Sequence, residues 1–138
     1  MDIRYHAVFE PQPEGGFFVR FLDFEDTFTQ GDTEEECLFN AVEVLTGMLS
    51  LKLEDGMDIL APAPGVPGSR PIAPDAKVQA ALLVRFARGE RTLSELARAL
   101  ETSWPSAKRL EDPRHWPSLK TLDRAAAAMG KRLVLAFE

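Results

Sequence analysis

The sequence predicts an α+β protein, with an N-terminal βββαβ module and a helical C-terminal module that ends in a short strand. Three observations predict this class. Apolar residues alternate with period two near the N-terminus, they recur at three- and four-residue steps later in the chain, and a proline-rich stretch interrupts the chain between the two modules. With 138 residues and about 150 per typical domain, the chain fits one domain or two small ones, so neither module holds a large core.

The N-terminal module begins with two strands. Apolar side chains at Ile3, Tyr5, Ala7 and Phe9 occupy every second position, and residues 17–22 repeat the alternation after a turn rich in Pro and Gly. These two strands are predicted to form a hairpin. Residues 27–30 contain Thr and Phe, which favour extended backbone, and predict a third short strand.

A helix follows the third strand. Thr33 and Glu36 have the spacing of a capping box at its start. The apolar stripe of this helix consists of Leu38, Ala41, Leu45, Met48 and Leu49. The helix is expected to end at Asp55-Gly56, and a last short strand is expected near residues 57–60.

A proline-rich segment follows. Five of the ten prolines fall between Pro62 and Pro74. This composition extends and stiffens the backbone without building a core. We therefore expect residues 61–74 to be a linker between a domain at residues 1–60 and another at residues 75–138. Domains of this size are marginal as monomers, so oligomerisation would help both.

The C-terminal module is predicted to contain four helices. An apolar stripe that stops at Gly89 marks the first, and the capping residues Thr92, Ser103 and Ser118 mark the starts of the others. Gly130 is placed as the C-terminal stop of the fourth helix. Residues 133–137 predict a final strand, and a second subunit would cover its open edge to give a dimer.

The second and third of these helices are short and are joined by a turn at Glu101-Thr102, which is the arrangement of a helix-turn-helix. The second helix of such a pair enters the major groove, while its inner face packs on the first. We expect Ala107 and Leu110 to face inward. The candidate DNA-binding residues are Ser103, Trp104, Ser106, Lys108, Arg109, Arg114 and Lys120. For Trp104 two roles stay open, a contact to DNA or packing against Trp116.

Charge is segregated along the chain. The formal net charge is −6, but residues 1–74 contain four basic and fourteen acidic side chains, a charge of −10. Residues 75–138 contain twelve basic and eight acidic side chains, a charge of +4. An acidic module repels nucleic acid and suits a basic partner, whereas a basic module can approach phosphate. The two modules are therefore expected to bind different partners.

Two sets of residues resemble a known family. The C-terminal set resembles the helix-turn-helix of Xre- and Cro-type repressors, in the version attached to HicB antitoxins: Leu96-Ala97, Leu100, Ser103, Pro105, Arg109-Leu110-Glu111, Pro117-Ser118-Leu119, Thr121-Leu122 and residues 126–130. The N-terminal set resembles the HicB N-terminal domain: residues 5–10, 15–19, 29–33 and 40–45. The more specific signal is the Thr-Gln-Gly-Asp-Thr run at residues 29–33. The chain departs from the family pattern at two turns. In the helix-turn-helix, Glu101-Thr102 stands where the family usually has Gly and an aliphatic residue. Before the third strand, Glu25-Asp26-Thr27 stands where the family often has Pro-Gly-Cys.

The resemblance implies a two-part function. A partial RNase H-like N-terminal domain would bind and block a small HicA-type toxin that cleaves mRNA, and the C-terminal domain would bind the operator of its own operon. Whether the dimers expected from the final strand pair into tetramers stays open. An RNA-cutting toxin must carry a basic surface, which an acidic module complements. Phe17, Phe18 and Phe28 are expected to anchor the toxin, with Asp23, Glu25 and Asp26 as the accompanying carboxylates. Neither catalysis nor a cofactor is implied.

Two other functions stay open. The protein is alternatively a transcription regulator with another ligand on its acidic domain, or a nuclease in which Asp23, Glu25 and Asp26 bind a metal. A solvated loop explains these acids better, because three carboxylates within four residues diverge on a strand or turn. The single cysteine, Cys37, excludes an internal disulfide and is expected in the core. No signal peptide or apolar run of about 18 residues is present, so a cytoplasmic protein is expected.

Overall fold

The structure is a computed structural model that describes residues 1–138, which form two compact units, Met1–Asp75 and Ala76–Glu138. We call them the N-terminal unit and the C-terminal unit. The N-terminal unit contains β1 (Tyr5–Pro11), β2 (Phe17–Phe21), β3 (Phe28–Gly31), α1 (Glu34–Glu54) and β4 (Arg70–Ile72). The C-terminal unit contains α2 (Ala76–Arg88), α3 (Leu93–Ala99), α4 (Trp104–Arg109) and α5 (Leu119–Ala128). None of the five helices combines the length and hydropathy needed to cross a lipid bilayer.

The four strands form one antiparallel sheet in the order β3-β2-β1-β4. The predicted hairpin of β1 and β2 is confirmed, with Phe9 opposite Val19. Its turn requires Gly16, because the backbone there has a φ of +73° and an added Cβ would lie 2.5 Å from the carbonyl oxygen of Gly31. The β1–β2 turn and the end of β3 are therefore in close contact.

One face of the sheet packs on α1. Strand alternation turns Tyr5, Ala7, Val19 and Phe21 to this face, and all four are buried. From the helix, the buried side chains are Cys37, Ala41, Leu45, Leu49 and Leu53. The expected cap is confirmed, since Thr33 Oγ1 accepts a hydrogen bond from the Glu36 amide at 3.1 Å. The predicted stripe is correct at its centre, whereas Leu38 remains 40% exposed at the beginning of the helix.

The fourth strand is not where the sequence predicted it. Residues 57–60 form no strand, and β4 lies at Arg70–Ile72, paired with the outer edge of β1. The segment expected to be a linker, residues 61–74, thus belongs to the N-terminal unit. Two side-chain contacts hold the intervening chain: Tyr5 Oη donates to the Leu60 carbonyl at 2.7 Å, and Ser69 Oγ lies 3.0 Å from His6 Nδ1. Proline content misled the prediction, because an edge strand tolerates a proline whose missing N–H faces solvent.

The C-terminal unit is a small helical bundle whose caps agree with the sequence. Thr92 Oγ1, Ser103 Oγ and Ser118 Oγ accept hydrogen bonds from amides three residues later, at 3.1, 3.3 and 3.1 Å. Gly130 has a φ of +72° directly after the C-cap of α5. The core consists of Val84, Leu96, Ala97, Leu100, Ala107, Leu110, Ala125 and Met129.

The predicted final strand is absent. Residues 131–138 have no regular secondary structure, and Val134 and Phe137 are 77% and 106% exposed. A strand exists only through hydrogen bonds to a neighbouring strand, and the C-terminal unit of a single chain contains no other strand. We call residues 133–137 the apolar tail.

Candidate functional site

The two units have opposite charge. With the boundary after Asp75, the N-terminal unit has four basic and fifteen acidic side chains, and the C-terminal unit has twelve basic and seven acidic ones. The N-terminal unit therefore has a formal charge of −11 and the C-terminal unit one of +5. Opposite charges favour different partners for the two units.

An aromatic pair lies on the sheet face opposite α1. Phe18 alternates with the buried Val19, and Phe28 pairs with Arg20 in the register of β2 and β3. The ring centroids of Phe18 and Phe28 are 5.7 Å apart at an interplanar angle of 34°. Phe28 is 55% exposed. We call Phe18 and Phe28 the aromatic patch.

Phe17 does not join this patch. Adjacent residues of a strand point to opposite faces of the sheet, so Phe17 lies on the side of Val19 and Phe21, where α1 packs. Its carbonyl oxygen is 4.0 Å from Cys37 Sγ on α1. The structure therefore brings together two of the three predicted phenylalanines.

Two arginines of the N-terminal unit, one on each face of the sheet, are already paired with carboxylates. Arg20 Nε donates to Glu10 Oε1 at 2.6 Å across β1 and β2. Arg70 on β4 binds Glu34 at 2.7 Å, and its guanidinium carbon lies 4.6 Å from the centre of the Phe9 ring. The acidic charge of the unit is thus in large excess.

The predicted acids lie in the turn between β2 and β3. Glu25 and Asp26 are exposed and Asp23 is half-buried. Burial, followed by the charge of Asp23, raises the pKa of the Tyr5 hydroxyl above its ordinary value. The structure brings no three His, Cys, Asp or Glu side chains together in an arrangement that could hold a metal ion.

A second acidic group was missed from the sequence. Glu14, Asp32 and Glu36 line an open cleft of about 650 Å³ between the β1–β2 turn and the start of α1. The register places Phe17 opposite Gly31 and so brings the hairpin turn beside Asp32. The Gly15-Gly16 turn was the sequence feature that could have indicated this cleft. Its proximity to Asp32, however, depends on the pairing of β2 with β3, which the sequence alone does not reveal. Carboxylates thus lie beyond both ends of β3.

In the C-terminal unit, α4 presents a polar outer face. Ala107 and Leu110 are buried, at 0% and 4% exposure, as predicted. Trp104, Lys108 and Arg109 are exposed. The remaining predicted side chains here are serines, with Ser103 Oγ donating to Ser106 Oγ at 2.9 Å.

Trp104 contacts a lysine. The Nζ atom of Lys108 lies 5.1 Å from the centre of the Trp104 ring, and that of Lys77 lies 5.3 Å from the centre of the Trp116 ring. The packing of Trp104 against Trp116 that the sequence left open is not found. The other two predicted side chains flank α4, with Arg114 in the following loop and Lys120 in the first turn of α5, both exposed.

The turn between α3 and α4 adopts a constrained conformation. Glu101 has a φ of +54°, the left-handed region in which glycine is the usual residue. The Thr102 amide donates to the Ala97 carbonyl at 2.9 Å and so closes the end of α3. The unusual residues at this turn therefore coexist with a tight connection between two short helices.

The fold and its surfaces define a protein with an acidic α/β unit and a basic helical unit. A family model described as the HicB-like antitoxin of bacterial toxin–antitoxin systems matches residues 4–80. The chain is 34% identical to Antitoxin HicB 1 of Photorhabdus laumondii subsp. laumondii over 99% of this chain and 88% of that protein. It is 32% identical to Antitoxin HicB of Escherichia coli K12 over 98% of this chain and 99% of the relative. This chain belongs to the HicB-like antitoxin family.

Proposed function

We propose that the N-terminal unit binds and neutralises a HicA-type, mRNA-cleaving toxin through the aromatic patch. The exposed pair of Phe18 and Phe28 in a unit of charge −11 carries this proposal. A toxin that binds RNA presents cationic groups, and an acidic surface speeds its approach. The aromatic rings supply the apolar area that holds the complex, because buried aromatic side chains dominate interface energies.

The carboxylates of Asp23, Glu25 and Asp26 form one part of the proposed rim. Those of Glu14 and Asp32, at the other end of β3, form the other part. An apolar centre with a charged rim is the common arrangement of protein interfaces. The toxin is the product expected from a small adjacent reading frame that encodes a basic protein.

The experiment is co-expression in the cytoplasm, where we propose that the pair acts. Expression of the neighbouring small reading frame alone should arrest growth, and co-expression of this chain should restore it. Growth arrest that persists despite soluble expression of this chain would refute toxin neutralisation.

The C-terminal unit is proposed to bind operator DNA and repress its own operon, with α3 and α4 acting as a helix-turn-helix. In this proposal α4 enters the major groove, Lys108 or Arg109 reads guanine edges, and Ser103, Trp104 and Ser106 contact bases or backbone. Arg114 and Lys120 contact the flanking phosphates. The exposed basic residues on α4, beside buried Ala107 and Leu110, support this orientation.

Binding to the DNA upstream of the chain's own gene tests the proposal. Lys108→Ala or Arg109→Ala should weaken binding by about 1–3 kcal/mol where the lost contact is bidentate to a base. Affinity should also fall steeply as salt rises, because bound protein releases counterions from the phosphates. Unchanged affinity for both variants would refute the placement of α4 in the groove.

We further propose that two chains pair through the apolar tail, forming a dimer that can assemble into a tetramer. The exposed Val134, Leu135 and Phe137 would be covered by the same segment of a second chain. A two-fold axis then presents two copies of α4 to a palindromic site.

A further inference from the structure

One ion pair in the C-terminal unit differs from the ion pairs on the sheet. Arg88, the last residue of α2, binds Glu111, two residues beyond α4, through two hydrogen bonds: Nε to Oε2 at 2.6 Å and Nη2 to Oε1 at 2.9 Å. The side chains of Arg88 and Glu111 are only 18% and 11% exposed, whereas those of Arg20 and Glu10 are 47% and 46% exposed. A bidentate and partly buried pair has one preferred geometry.

The same guanidinium also binds the turn between α2 and α3. Arg88 Nη1 donates to the Arg91 carbonyl at 2.5 Å. One side chain thus connects the end of α2, the turn that precedes α3 and the chain segment that leaves α4. All its partners lie within the C-terminal unit.

Helix α4 needs such a connection because it has little apolar surface with which to hold its position. It has six residues, and its buried apolar contacts come from Ala107, within it, and Leu110, its C-cap. Two small contacts fix which face is inward but constrain sliding and rotation weakly, since dispersion attraction depends on many contacts. The bidentate ion pair between Arg88 and Glu111 adds a directional constraint immediately after the helix.

We propose that the Arg88–Glu111 pair positions α4 for DNA, so that both residues are positioning residues that act without touching the duplex. This inference rests on the proposed DNA-binding function. It has a counterintuitive consequence: removing the negative charge of Glu111 weakens DNA binding. Electrostatics alone demands the opposite, because loss of a carboxylate near the phosphates reduces repulsion.

The test measures binding of the full chain to the duplex upstream of its own gene by fluorescence anisotropy. Glu111→Gln should bind about tenfold more weakly than the wild-type chain. Glu90→Gln is the matched control, because Glu90 is exposed and its substitution removes the same charge from the same unit. It should bind equally well or slightly more tightly. Equal or tighter binding by Glu111→Gln would overturn the proposal.

A second series separates positioning from direct contact and from loss of folding. Arg88→Gln should weaken binding while the slope of log affinity against log salt stays unchanged, whereas a phosphate contact by Arg88 would lower that slope by about 1. Arg88→Lys keeps the positive charge but cannot form the bidentate pair with Glu111. This variant should remain folded, as measured by circular dichroism, yet bind the duplex more weakly. The reversed pair, Arg88→Glu with Glu111→Arg, should bind more tightly than either Arg88→Glu or Glu111→Arg alone. A changed slope, wild-type affinity of Arg88→Lys or no recovery in the reversed pair would overturn the proposal.

The two levels of inference fail differently. If the wild-type chain does not bind the upstream duplex, the proposed DNA-binding function is wrong, and the Arg88–Glu111 pair cannot position α4 for DNA. If the wild-type chain binds and Glu111→Gln binds no more weakly, DNA binding stands and the positioning role is wrong.

Discussion

Truncation of Phe28 tests the aromatic patch most directly. A phenylalanine presents roughly 200 Å² of surface, and 55% of Phe28 is exposed. A partner that covers the ring would therefore remove about 110 Å² from water, worth about 2–3 kcal/mol at ~25 cal/mol per Å². Alanine keeps the Cβ atom, so Phe28→Ala should cost about 2 kcal/mol of binding, or roughly a 30-fold increase in Kd.

The assay is isothermal titration calorimetry of the full chain against the purified protein from the adjacent reading frame. Phe39→Ala is a matched control, because Phe39 is 66% exposed and lies on α1, which packs on the opposite face of the sheet. Phe39→Ala should change Kd less than twofold. If Phe39→Ala weakened toxin binding while Phe28→Ala left it unchanged, the reasoning would be refuted and the toxin would bind on the helical side of the sheet.

Three other predictions concern the fold and assembly. The raised pKa of Tyr5 means that its neutral hydroxyl is favoured by folding, so the contribution of Tyr5 to the free energy of unfolding should hold below about pH 10 and fall above it. Burial also raises the pKa of the Cys37 thiol, so Tyr5→Phe should reduce the alkaline fall in urea titrations without abolishing it, and an identical pH profile would contradict the assignment. Glu101→Gly should raise the free energy of unfolding by about 0.5–1 kcal/mol in chemical denaturation because it relieves a positive φ, whereas Glu101→Ala should give no gain; a loss in the glycine variant would show that the turn is unstrained. Deletion of residues 133–138 should convert the proposed dimer to a monomer, as measured by light scattering. An unchanged molecular mass would exclude the apolar tail as the dimer interface.

Local signals in the sequence predicted most elements, because helices and hairpins depend on residues that are close along the chain. The caps at Thr33, Thr92, Ser103 and Ser118 each require only a hydroxyl and an amide three residues later. The inward orientation of Ala107 followed from helical periodicity.

Features that depend on distant pairing were predicted poorly. The pairing of β4 with β1 joins Ile72 to Tyr5 across the whole N-terminal unit, and no local pattern marks it. The same limit applies to the candidate site. Phe18 and Phe28 meet only through the register of β2 with β3, and Arg88 meets Glu111 only through helix packing. The prolines of residues 61–74 and the apolar residues 133–137 are evident in the sequence. Whether either segment forms a strand depends on whether another strand is available to pair with it.

The late position of β4 has a consequence for biosynthesis. Until residue 72 has left the ribosome, the outer edge of β1 lacks its neighbour and exposes backbone hydrogen-bonding groups to other nascent chains. A fragment that stops at residue 60 would retain this raw edge permanently and would be prone to aggregate. Fragments intended to isolate the acidic half should therefore extend to Asp75.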